Sequence, residues 1–160
     1  MANKNIFVVG FLIIIVALSV SACSSTETSS SDNKSDSESK INGIKVEYLG
    51  EKPENAKASL YLFWGDGCPH CTNEKVFLNE MKDKYPDLEI RMYETWKNKG
   101  NARALQDMAR AYNTTAKGVP MTFIGDFEPW VGFSSRMESD MEEKIEYCLE
   151  NNCIDPASKL

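Results

Sequence analysis

Five cysteines and a single histidine are the residues of this chain best suited to chemistry. Two cysteines enclose the histidine in the run Cys68-Pro69-His70-Cys71, two more lie close together at Cys148 and Cys153, and Cys23 stands apart near the start. A Cys-x-x-Cys pair can ligate a metal, attach a haem, staple a loop, or carry two electrons as a dithiol. Cys68, His70 and Cys71 supply at most three ligands that cannot all point at one tetrahedral ion. No second Cys/His pair of zinc-ribbon spacing follows, so no metal is expected. Haem attachment needs a histidine directly after the second cysteine, where this chain has Thr72. A closed Cys-x-x-Cys loop is strained, which disfavours a permanent staple. Redox exchange remains, with no dissociable cofactor, because the dithiol itself holds the electrons.

Such a dithiol needs elements that present it. Residues 58–64 (ASLYLFW) form a short, dense apolar run, the pattern of a strand buried on both faces. A glycine-flanked turn follows, and after Pro69 a helix is predicted with Val76, Phe77, Glu80, Met81 and Tyr85 on its stripe, closing before Pro86. Cys68 then sits at a strand-to-helix turn, where unpaired N–H groups and the positive end of the helix dipole favour a thiolate. Cys71 lies on the same helical turn, within reach to resolve a mixed disulfide formed at Cys68. His70 adds a donor and partial positive charge, which stabilises the reduced form and makes the disulfide more oxidising.

The rest of the chain supplies a frame. Residues 43–49 alternate Ile44, Val46 and Tyr48 with smaller or polar neighbours and are predicted as a strand, as are residues 88–93. Residues 101–112 carry Ala104, Leu105, Met108, Ala109 and Tyr112 on one helical stripe. Gly118-Val119-Pro120 precedes a strand over 121–124, a turn at Gly125-Asp126, and a partner strand through Trp130, Val131 and Phe133. The aromatic run 127–133 reads as hairpin core. A last helix over 135–149 has Met137, Met141, Ile145, Cys148 and Leu149 on its stripe.

A buried strand ending in Phe63-Trp64, a three-residue turn, Cys-x-x-Cys opening a helix, and Val119-Pro120 just before a later strand together resemble the thioredoxin family, over roughly residues 44–149. The resemblance implies an α/β thioredoxin fold, a central mixed sheet flanked by helices. It also implies a cis bond before Pro120, with the backbone of Val119 facing the cysteines and free to pair with a substrate strand. Cys68 is read as the nucleophile and Cys71 as the resolving residue, and Trp64, close to the cysteines in sequence, as packing beside the site and contributing to substrate binding. The Pro-His pair and the valine before the proline are similar to periplasmic disulfide oxidases, which points towards oxidation. Two departures stand out. Only 48 residues separate Cys71 from Pro120, too few for the helical insertion of those oxidases. And Leu62 occupies the place where ordinary thioredoxins bury an acid beneath the cysteines, so proton transfer must use water, His70 or another group. The rival functions are a reductase fed by a membrane electron donor and a binding module that keeps the fold without turnover.

The remaining features concern place. Residues 1–22 follow the charged, apolar, small-residue plan of an export signal, and Val20-Ser21-Ala22-Cys23 resembles the lipobox of bacterial lipoproteins, in which the cysteine is lipidated. Residues 23–40, mostly serine with scattered charge, read as a flexible disordered tether, and the domain is predicted over 41–160. The expected location is the extracytoplasmic face of the cell membrane, anchored in the bilayer through Cys23. The expected partners are exported proteins with thiols or disulfides and a membrane redox protein. With 18 basic against 24 acidic residues and no basic stripe, nucleic acid is not an expected partner. In an oxidising compartment Cys148 and Cys153 are expected to form a structural disulfide, the alternative being a second redox pair.

Overall fold

In the computed structural model, the described residues are 43–160. The predicted signal, the lipidation site Cys23 and the tether lie outside them. Ten elements follow in order: β1 (Glu47–Tyr48), β2 (Ala58–Trp64), α1 (Pro69–Lys84), β3 (Leu88–Glu94), α2 (Lys99–Ala111), β4 (Met121–Ile124), β5 (Trp130–Val131), a short 3-10 helix (Ser135–Met137), α3 (Glu138–Asn151) and a terminal 3-10 turn (Pro156–Lys159). The five strands form one mixed sheet in the order β1-β3-β2-β4-β5. β2 and β3 are parallel and joined through α1; β4 runs antiparallel to β2, and β5 antiparallel to β4. Among the described residues no helix is long and apolar enough to cross a membrane.

The sheet is buried on both faces, which explains the dense apolar runs of its central strands. On one face Leu60, Leu62, Leu88, Ile90 and Ile124 pack against Phe77, Leu78 and Met81 of α1 and Met141 and Ile145 of α3. On the other, Tyr61, Phe63, Tyr93 and Phe123 pack against Leu105, Met108 and Ala109 of α2. Trp130 and Phe133 are buried in the first of these clusters, as hairpin core.

Four expectations need correction. β5 is only Trp130–Val131, so Phe133 lies beyond the strand. β1 is only Glu47–Tyr48 rather than residues 43–49, because it pairs at the sheet edge with β3 alone. The last helix opens with a 3-10 turn at Ser135 and becomes α-helical from Glu138. Most consequentially, α1 is rotated from the predicted stripe. Val76 is 59% exposed and Glu80 is exposed, while the buried face is Cys71, Glu74, Phe77, Leu78 and Met81. The helix docks by the face that carries its buried cysteine, which brings a glutamate inside.

Candidate active site

The site is assembled at one end of the central strands, where the loops after β2, after β3 and before β4 lie. Cys68 is the N-cap of α1 with extended backbone (φ −78°, ψ 117°), and Pro69 occupies the first turn, where its missing N–H costs nothing. The Cys68 Sγ accepts the N–H of Cys71 at 3.3 Å, and the Thr72 N–H closes the first helical turn on the Cys68 carbonyl at 3.1 Å. Opposite, the Val119–Pro120 bond is cis, and the Cys68 thiol donates to the Val119 carbonyl at 3.8 Å. Cys68 and Cys71 are both free thiols, 6% and 1% exposed. Burial pushes the Cys71 thiol up to about 12, and its hydrogen bond with Cys68 adds to the rise. Both effects disfavour the Cys71 thiolate.

Leu62 offers no carboxylate beneath the cysteines, and a buried acid comes from α1 instead. Thr122 of β4 lies directly across from Leu62 of β2 in the sheet register, and its hydroxyl donates to Oε1 of Glu74, one helical turn beyond Cys71. Glu74 is 1% exposed, and its Oε2 has no hydrogen-bond partner. Burial raises its carboxyl to about 7 against the Thr122 hydrogen bond, which lowers it. A sheet position that lacks an acid is served by an acid from the helix. A helical wheel drawn from Cys71, through 74, 78 and 81, would have pointed to it.

His70 is exposed, and its hydrogen bond goes to the Phe133 carbonyl at 3.1 Å rather than to either sulfur. A carbonyl only accepts, so Nδ1 is the nitrogen that carries hydrogen in this contact. Trp64 packs against the core beneath the site, with Nε1 enclosed and unpartnered and the Lys75 ammonium over its ring. The exposed aromatic beside the site is a different residue, Trp96, which lies across Gly65 of the active-site turn; a Cβ at Gly65 would overlap the indole.

Cys148 and Cys153 are joined as a disulfide. Their sulfurs pack on Gly125 at the far end of β4 from Pro120; a Cβ there would come within 3.1 Å of both, and the residue has φ +54°. Among the described residues no group of three or more His, Cys, Asp or Glu side chains could hold a metal ion.

A β-α-β unit, an antiparallel hairpin and a closing helix, with a cis proline facing two thiols at the start of a helix, define a thioredoxin-fold domain with a dithiol site. Two solved structures similar to the chain are mitochondrial thioredoxin 3 from Saccharomyces cerevisiae in its oxidized form and thioredoxin O2 from Arabidopsis thaliana in the oxidized state. The first is 14% identical over 57% of this chain and 79% of that one, with a TM-score of 0.43. The second is 22% identical over 59% and 81%, with a TM-score of 0.44. No family model matches the chain, and no curated protein does.

Proposed function

We propose that this protein is a membrane-anchored, extracytoplasmic thiol–disulfide oxidoreductase that forms disulfides in exported proteins. The observation that carries the reading is the pair of thiols at the start of α1, with the Cys71 N–H on the Cys68 sulfur and the Val119 carbonyl opposite. In the oxidising direction a substrate thiolate attacks Sγ of Cys68 in the Cys68–Cys71 disulfide. Cys71 leaves as a thiolate and takes the proton of Glu74. A second substrate thiolate then attacks the substrate sulfur of the mixed disulfide and expels Cys68 as a thiolate. The substrate gains a disulfide and the dithiol gains two electrons, which a membrane redox partner removes. In reverse, Glu74 accepts the Cys71 proton as Cys71 resolves the mixed disulfide. Val119 and Pro120 hold the substrate backbone, and the bilayer anchor at Cys23 and the tether keep the domain near the membrane.

A Cys71→Ser variant of the full chain tests the reading, because it leaves Cys68 able to attack and removes the group that resolves. Mixed disulfides with exported proteins should accumulate, visible as reducible adducts on a gel, and should vanish when Cys68 is also replaced. Their absence would leave a binding module on this fold as the better account.

The lean towards oxidation rests on His70. Its loss in His70→Ala should make the Cys68–Cys71 disulfide less oxidising by about fivefold in the equilibrium with glutathione, a modest effect for one side chain next to a thiol. An unchanged equilibrium would remove His70 from the tuning of the site.

A further inference from the structure

The loop between β3 and α2 is clasped to the active-site turn. Glu94, the last residue of β3, accepts the backbone N–H groups of Trp96 at 2.9 Å, Lys97 at 2.8 Å and Asn98 at 3.2 Å, and that of Asp66 in the turn at 3.3 Å. Burial works against its ionised form, but these four donors hold the carboxyl below the usual carboxylate range. Thr95 bonds the Trp64 carbonyl with both its N–H, at 2.8 Å, and its hydroxyl, at 2.9 Å, and the Lys97 ammonium pairs with Asp66. The result is a fixed backbone for Trp96. The Trp96 indole rests on Gly65 and remains 60% exposed. Gly67, immediately before Cys68, has a φ of +83° and open space where a Cβ would stand.

Sheet order gives this placement its meaning. β3 and β4 are the two neighbours of β2, so Trp96 flanks the Cys68 turn on one side and Val119–Pro120 on the other. A chain whose sulfur reaches Cys68 meets backbone on the β4 side and an indole on the β3 side. A large aromatic surface left in water on a backbone already tied down has met part of its ordering cost during folding, the property of a binding anchor.

We infer that Trp96 is the specificity-determining residue of the site, its indole receiving a bulky apolar side chain next to the exchanging cysteine of a polypeptide substrate. This rests on the dithiol reading above. The Glu94 clasp acts through Trp96 and is a positioning device.

Two disulfide-bonded model peptides that differ only in a Phe or a Ser beside one cysteine test the inference, with kcat/KM measured for the full chain and for Trp96→Ala and Trp96→Phe. The wild type should favour the Phe peptide by about tenfold, worth about 1.4 kcal/mol. Trp96→Ala should bring the ratio near one, and Trp96→Phe should restore most of it. A change that only loosened the turn would slow both peptides together and keep the ratio. A wild-type ratio near one, or a ratio that survives Trp96→Ala, overturns the inference while exchange itself still supports the dithiol reading. If the wild type exchanges with neither peptide nor with oxidised glutathione, the dithiol reading fails first.

Discussion

Glu74→Gln is expected to make the protein more stable above neutral pH and a slower exchange catalyst. The carboxyl is held near 7 in the fold against an ordinary 4.5, with burial as the main cause. Between these values the native protein keeps a proton that the unfolded chain has released. The stability this gives is fully present below pH 4.5 and is lost as pH rises through about 7. The difference corresponds to about 3 kcal/mol. Gln fills the same volume and can keep the Thr122 contact, but it has no charge to bury. Urea unfolding should therefore show the variant matching the wild type below pH 4.5 and exceeding it by up to about 3 kcal/mol above pH 8. Parallel pH profiles for the two proteins would show that Glu74 does not titrate inside the fold.

Activity should move the other way. The Cys71 thiol, pushed up to about 12, cannot supply a thiolate at neutral pH by its own ionisation. Glu74 lies one turn on along the same buried face and can accept its proton as Cys71 attacks the mixed disulfide. A positioned base contributes about 10²-fold at the low end of the usual range. Decay of a preformed mixed disulfide at Cys68 should thus slow by about 10²-fold in Glu74→Gln, and the limb of its pH profile near 7 should vanish. A variant that gains stability while losing this one step cannot be explained by a damaged fold. Unchanged decay would assign the proton to water.

The same residue shows how far the sequence could be read. β2 and β4 were legible to the residue because each is a short apolar run bounded by turn signals, and the start of α1 was legible because a cysteine followed by proline suits an N-cap and first turn. The rotation of α1 was not. A glutamate among lysines and asparagines reads as solvated surface, and only Thr122, 48 positions away, makes it tolerable inside. Trp96 escaped for a related reason. Its partner Gly65 lies on another strand's loop, and neither residue's local pattern announces the contact. β1 was overextended because Ile44 and Val46 pack against the core without pairing, while only Glu47 and Tyr48 join the sheet. Local elements follow from local pattern here, while the chemistry of the site follows from contacts between loops.

The second cysteine pair allows a sharp separation of stability from redox chemistry. Replacing Cys148 and Cys153 together by Ala should cost about 2 kcal/mol, the chain-entropy value for so short a loop, and lower Tm by about 8 °C for a domain of this size. The bond fixes more than a helix end. Just beyond Cys153, Asp155 accepts the Tyr61 hydroxyl at 2.7 Å and meets Arg91 at 3.5 Å, docking the terminal turn on the sheet. Arg91 in turn bonds the buried Glu89 at 2.9 Å, so releasing the terminus uncovers a charged network on that face. Yet the disulfide lies at the end of β4 remote from Pro120, four strand residues away, a span of about 13 Å at the usual rise per residue. No electron exchange with Cys68 can cross that span without a large rearrangement, since thiol–disulfide exchange requires sulfur to touch sulfur. The double variant should therefore melt earlier while its Cys68–Cys71 pair keeps the same equilibrium with glutathione. A lost or shifted equilibrium with an unchanged Tm would instead make Cys148 and Cys153 a second redox pair.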